Sequence, residues 1–223
     1  MEKALKAMEN RLLIYSFSLA FYLLFIFAVV KYPEWYIWIE EDDSPHAYMQ
    51  LLILCSCFVT GLGIYLIQTL DNTINIKEKF IWISAAFGYL FLAIESKYEF
   101  HNQVRRVLEV KDDFPIFLWF ERGDFMLTLF LVAGLIFSAF FFKYLKQSKR
   151  ALIIFFLGAA FAVVSVGIDS FHLDKIISIS ENMEFVLEEV GESMAMLCFL
   201  NSTFSMFCFY LKQYINRISS STI

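Results

Sequence analysis

The sequence predicts an all-α, polytopic transmembrane helix bundle of about six spans, forming a single integral membrane domain over residues 1–223. Composition is the first reason. Of 223 residues, 59% are hydrophobic and only 18% charged, against about 45–50% and about 25% in soluble domains. The second is six long apolar runs, each near the roughly 20 residues that cross a hydrocarbon layer about 30 Å thick. The third is that these runs are continuous and do not alternate with period two, which selects helices over a barrel.

The first span covers 12–30, and the charged stretch MEKALKAMENR leads straight into it. That apolar run is too long for a cleaved signal and lacks a small-residue cleavage site, so it reads as a retained signal anchor. Trp35, Tyr36 and Trp38 follow as an interfacial aromatic belt ahead of Glu40-Glu41-Asp42-Asp43. The second span, 48–70, is opened by Ser44-Pro45, with proline at an early position where its missing N–H does no harm. His46, two residues ahead of this run, reads as a loop residue outside any site. The third span is 80–100, the fourth 125–144 and the fifth 151–172. The sixth is 185–211, with Ser178 and Glu181 at capping-box spacing before it. Gly61-x-Gly63 and Gly134-x-x-x-Ser138 read as small-residue packing surfaces. Cys55, Cys57, Cys198 and Cys208 all lie inside apolar runs, which argues against a disulfide framework.

Charge orients the bundle. With six spans, one face collects eleven lysines and arginines against four acids, while the other carries seven against nineteen. The positive-inside rule places the cation-rich face, and with it both termini, in the cytoplasm. A net charge of −5 leaves no basic patch for nucleic acid.

The informative charges are those inside the apolar runs. At 1.5 Å rise per residue from the cytoplasmic edge, Glu95 lies roughly 22 Å in, Asp169 roughly 27 Å and Glu192 roughly 30 Å, with His101 and His172 slightly further. Three spans therefore place acids and histidines at one depth near the outer face. Asp169 and His172 are i,i+3 neighbours, as are Glu189 and Glu192, while Glu188 and Glu192 are i,i+4. His101 is six positions past Glu95, so on a regular helix it points away from it and serves a neighbouring helix or needs a kink. Intramembrane ionisable groups are expensive, and they are usually paired or functional. Carboxylates and imidazoles together suit a divalent metal, with Zn, Fe or Mn the expected cofactor. Glu95, His101, Asp169, His172 and Glu192 are the expected ligands, and Glu188 or Glu189 the expected general base.

The stretch Ile94-Glu95-Ser96-Lys97-Tyr98-Glu99-Phe100-His101-Asn102, with Leu187-Glu188-Glu189-Val190-Gly191-Glu192, resembles a pattern in uncharacterised bacterial polytopic membrane proteins. That pattern places an acid six positions before a histidine at one helix end, and E-E-x-x-E at the start of a later helix. Ser96 and Asn102 stand where the pattern carries further acids. The resemblance implies a bacterial cytoplasmic membrane. A looser similarity of composition links the chain to membrane-embedded zinc hydrolases of the ceramidase and progestin-receptor type, whose H-x-x-x-H is absent here.

Three function classes follow. The leading expectation is a divalent-metal-dependent membrane hydrolase acting on lipid. The second is a cation or proton transporter or channel using the same carboxylates. The third is a membrane-perturbing or signalling subunit whose cluster is structural. Membrane lipid is the expected partner, with a second copy or a partner membrane subunit beside it. Nucleotide-binding, zincin, serine-hydrolase and thioredoxin-like motifs are missing from the sequence.

Overall fold

A computed structural model describes residues 2–40, 44–71, 73–98, 103, 124–171 and 180–221. Among them there are seven helices and no strand: α1 (Glu2–Val30), α2 (Ile37–Glu40), α3 (Pro45–Leu70), α4 (Ile76–Tyr98), α5 (Asp124–Leu145), α6 (Lys149–Phe171) and α7 (Glu181–Ser221). Helices are the expected outcome, because in lipid every backbone N–H and C=O must find its partner within the segment.

Five of these helices are long and apolar enough to cross a membrane: α1, α3, α4, α6 and α7. The expected fourth span, 125–144, corresponds to α5, a helix of 22 residues. The chain is an all-helical, multi-pass membrane protein. Leu19, Phe25, Val59, Leu66, Phe80, Phe140 and Val164 are all more than half exposed, as surface in contact with acyl chains should be.

The long helix α7 organises the bundle. It packs against α6, α3, α1 and α2, while α4 lies on α3 and α5 on α6. At 41 residues it is about 60 Å long, twice the hydrocarbon thickness, so its end around Lys212 and Arg217 extends beyond the apolar layer. Small residues set the closest approaches. A Cβ on Gly61 would stand 3.1 Å from Ala86 Cβ across α3/α4, and one on Gly158 would stand 2.8 Å from Cys198 Cβ across α6/α7. The packing surface expected at Gly61-x-Gly63 is thus realised, with Gly63 against Phe207. Gly134 differs: nothing lies within 4 Å of a Cβ built there.

The core falls into layers along the bundle. Trp82, Phe141, Phe155, Met206 and Tyr210 fill the cation-rich (inner) end. Met49, Leu54, Cys57, Tyr89, Met194 and Leu197 fill the middle, and Phe27, Ile39 and Val186 the opposite (outer) end. The free cysteines Cys57, Cys198 and Cys208 are buried, in keeping with a scaffold held by packing.

Candidate functional site

The outer ends of α2, α3 and α7 converge on His46. The sequence builds this locally. Ser44 caps α3, its hydroxyl accepting from the Ala47 N–H at 3.2 Å, and Pro45 takes the first helical position. His46 therefore belongs to the first turn of α3 and is wholly buried, in contrast to its expected place in a loop. Just before it, the short helix α2 folds back over the bundle and buries Ile39. A four-residue helix leaves its last carbonyls without helical partners, and that of Ile39 receives His46.

The ring is held at both nitrogens. Nδ1 lies 3.1 Å from the Ile39 carbonyl oxygen, and Nε2 lies 2.8 Å from Ser193 Oγ on α7. A carbonyl oxygen can only accept, so Nδ1 carries the proton. The neutral ring then presents a lone pair at Nε2, and the Ser193 hydroxyl donates to it. The Glu189 carboxylate stands 3.6 Å from Nδ1, and its side chain is 28% exposed. Gln50, one turn along α3, donates from Nε2 to Glu189 Oε2 at 2.9 Å. A buried imidazole is thus linked to a partly exposed carboxylate.

A second proton on the ring has one place to go. On protonation Nε2–H donates to Ser193 Oγ, and the hydroxyl turns toward the carbonyl one turn back on its own helix, as helical serines commonly do. The same trio has a serine–histidine–carboxylate layout, yet acyl transfer also needs free donors for an oxyanion. Ser193 sits fully buried inside α7, where backbone N–H groups are occupied by helical bonds.

The other expected site residues divide into three groups. Glu188, Glu189 and Glu192 lie together on the outer part of α7, and the Glu188 carbonyl accepts from Ser165 Oγ of α6 at 2.7 Å. Glu95 is buried on α4. The pairings Tyr89–Thr203 and Trp82–Tyr210 fix the antiparallel register of α4 on α7 and bring Glu95 level with Leu197, one turn deeper than Ser193. Asp169 belongs to α6, one turn beyond Ser165. His101 and His172 lie outside the described residues, as does Ser178. Among the described residues, no group of three or more His, Cys, Asp or Glu side chains is placed to hold a metal ion. The residues a charge-based reading passes over are His46, Gln50 and Ser193. The Ser44-Pro45 cap is the signal for His46, because it places that residue inside the helix.

No curated protein and no solved structure matches this chain. A family model does match, over residues 18–207, and so covers the whole His46, Gln50, Glu189 and Ser193 cluster. It provides no link to ceramidase-type hydrolases. The chain belongs to the family described as Domain of unknown function (DUF8692).

Proposed function

We propose that this membrane protein conducts protons, or couples proton movement to a cation, with His46 and Glu189 as the outer proton-binding pair. The observation that carries this reading is a fully buried histidine with a carboxylate 3.6 Å from its Nδ1, both at the end of membrane-spanning helices. Ionisable groups at such positions most often belong to ion pathways or proton relays. Glu189, partly exposed on the outer side, faces the Nδ1–H edge of the buried ring with its carboxylate held by Gln50, and the proton the neutral ring takes up goes to Nε2, on the Ser193 side. With the cation-rich face toward the cytoplasm, this pair opens outward.

Reconstitution into liposomes with an internal pH-sensitive dye tests the reading. Wild type dissipates an imposed pH gradient, and His46→Gln and Glu189→Gln abolish the effect while remaining folded. Wild-type vesicles no leakier than protein-free ones would sink it. The metal-dependent lipid hydrolase is a separate proposal. It is favoured by the tight α6/α7 contact at Ser165 and Glu188, which sets Asp169 and Glu192 on adjoining helices. It requires Glu95, His101, Asp169, His172 and Glu192 to hold Zn, Fe or Mn, and purified protein without stoichiometric metal would dismiss it.

A further inference from the structure

A second polar cluster lies at the opposite, inner end of the same α3/α4/α7 seam. Gln68 is wholly buried on α3, one turn before Asp71 closes the helix. Among the described residues no hydrogen bond of ordinary length and angle reaches its amide nitrogen or its amide oxygen. It stands beside the Tyr210 hydroxyl, which is itself buried and doubly engaged. That hydroxyl accepts from Trp82 Nε1 at 3.3 Å and donates to a Glu78 carboxylate oxygen. Glu78 is half-buried in the first turn of α4.

The unmet valences define the missing ligand. Gln68 offers two N–H donors and one acceptor, while the Tyr210 oxygen keeps a lone pair beside the one that takes the single Trp82 N–H. A metal cation would be repelled by the amide and indole N–H groups, and an anion by the carboxylate. Water both donates and accepts, and it settles in buried polar sites offering two to four such partners.

We propose that Gln68 and Tyr210 hold a water molecule at the inner end of the bundle, and that this water is the inner relay of the proton pathway, an assignment that rests on the transport reading above. A proton arriving on the water as hydronium passes to the Tyr210 oxygen while the tyrosine's own proton moves to Glu78. The water returns to neutral, the tyrosine is regenerated, and the carboxylate carries the charge change to the inner surface. The next polar pair outward, Tyr89 and Thr203 at 3.3 Å, lies two helical turns toward the outer cluster.

X-ray hydroxyl-radical footprinting in isotopically labelled water tests the site without reference to transport, because radicals born on a bound water mark the buried side chains around it. In wild type, Tyr210 and Trp82 incorporate the label despite their burial, and Gln68→Met, which keeps length and volume but removes the polar atoms, loses it. Absence of label from both residues in wild type, or label unchanged in Q68M, overturns the water site. In the liposome assay Q68M loses proton flux along with the label. Flux that survives when the label is lost overturns the relay, whereas wild type that labels but shows no flux overturns the transport reading and leaves the water in place.

Discussion

Replacing Ser193 by alanine probes the centre of the outer cluster, and its effect can be worked from the bonds it removes. The hydroxyl is the donor to His46 Nε2 at 2.8 Å, and both residues are fully buried. With Nδ1 committed to the Ile39 carbonyl, no rotation of the ring supplies another donor at Nε2. Ser193→Ala therefore leaves a buried acceptor unsatisfied, which costs about 1–3 kcal/mol. Ser165→Ala is the matched control. Its hydroxyl donates at 2.7 Å to the Glu188 carbonyl, which also belongs to a regular helix and keeps its helical bond. No orphan is created, so the loss stays within about 1 kcal/mol. Reversible unfolding in mixed micelles, followed by circular dichroism, measures both. An S193A protein as stable as S165A, or more stable, would refute the assigned tautomer and the donor role of Ser193.

Other expectations follow from the packing and the inner surface. Gly158→Ala drives a Cβ to 2.8 Å from Cys198 Cβ and 3.1 Å from the Ala195 carbonyl oxygen. Neither can yield without moving a backbone, so the same unfolding assay should show a loss of about 1–3 kcal/mol. Gly88→Ala meets open space and should be neutral or stabilise by up to about 1 kcal/mol. Tyr210→Phe strips the acceptor from Trp82 Nε1 and the donor from Glu78, for an expected loss of about 1–3 kcal/mol. Asp71, at the end of α3, is pushed up by burial, but hydrogen bonds from Thr73 and Arg217 outweigh this and hold it below its ordinary 3.8. A carboxylate whose folded value lies below its unfolded one stabilises the fold above the unfolded value, near 4, and loses that contribution as pH falls through the folded value. Stability against pH should accordingly drop on the acid side in wild type, and the drop should be shallower in Asp71→Asn.

The sequence speaks clearly about the spans because the bilayer imposes one rule on every residue at that depth. Apolar runs such as Ala151–Ile168 read directly as helices, and Gly61 reads as a close-packing position because a side chain there would meet Ala86. The outer carboxylates are equally visible as charges in apolar company. His46 is harder to see, because a boundary drawn by hydropathy starts the helix at residue 48, whereas the Ser44-Pro45 cap starts it at Pro45. Its burial also depends on α2, four residues that fold only against α1, α3 and α7 and leave no periodic trace. Gln50, Ser193, Gln68 and Tyr210 escape a search for charge because they are neutral. Their importance comes from which neighbours the parallel packing of α3 on α7 gives them, and no local pattern encodes that pairing. Glu95 is the easier case. A count of helical rise puts it roughly 8 Å further in than Glu192, and the register of α4 on α7 agrees, setting it level with Leu197, five residues or about 7 Å further in.

The claim at the centre of this account is that His46 binds and releases a proton inside the bundle. Nitrogen NMR of histidine-labelled protein in lipid bilayers, with the His46 signal assigned by its loss in His46→Gln, observes that event at the ring itself. The account predicts a neutral ring protonated at Nδ1 at high pH, converting to the doubly protonated form as pH falls. A neutral ring protonated at Nε2, or one that keeps a single state across the whole range over which the protein stays folded, would contradict it.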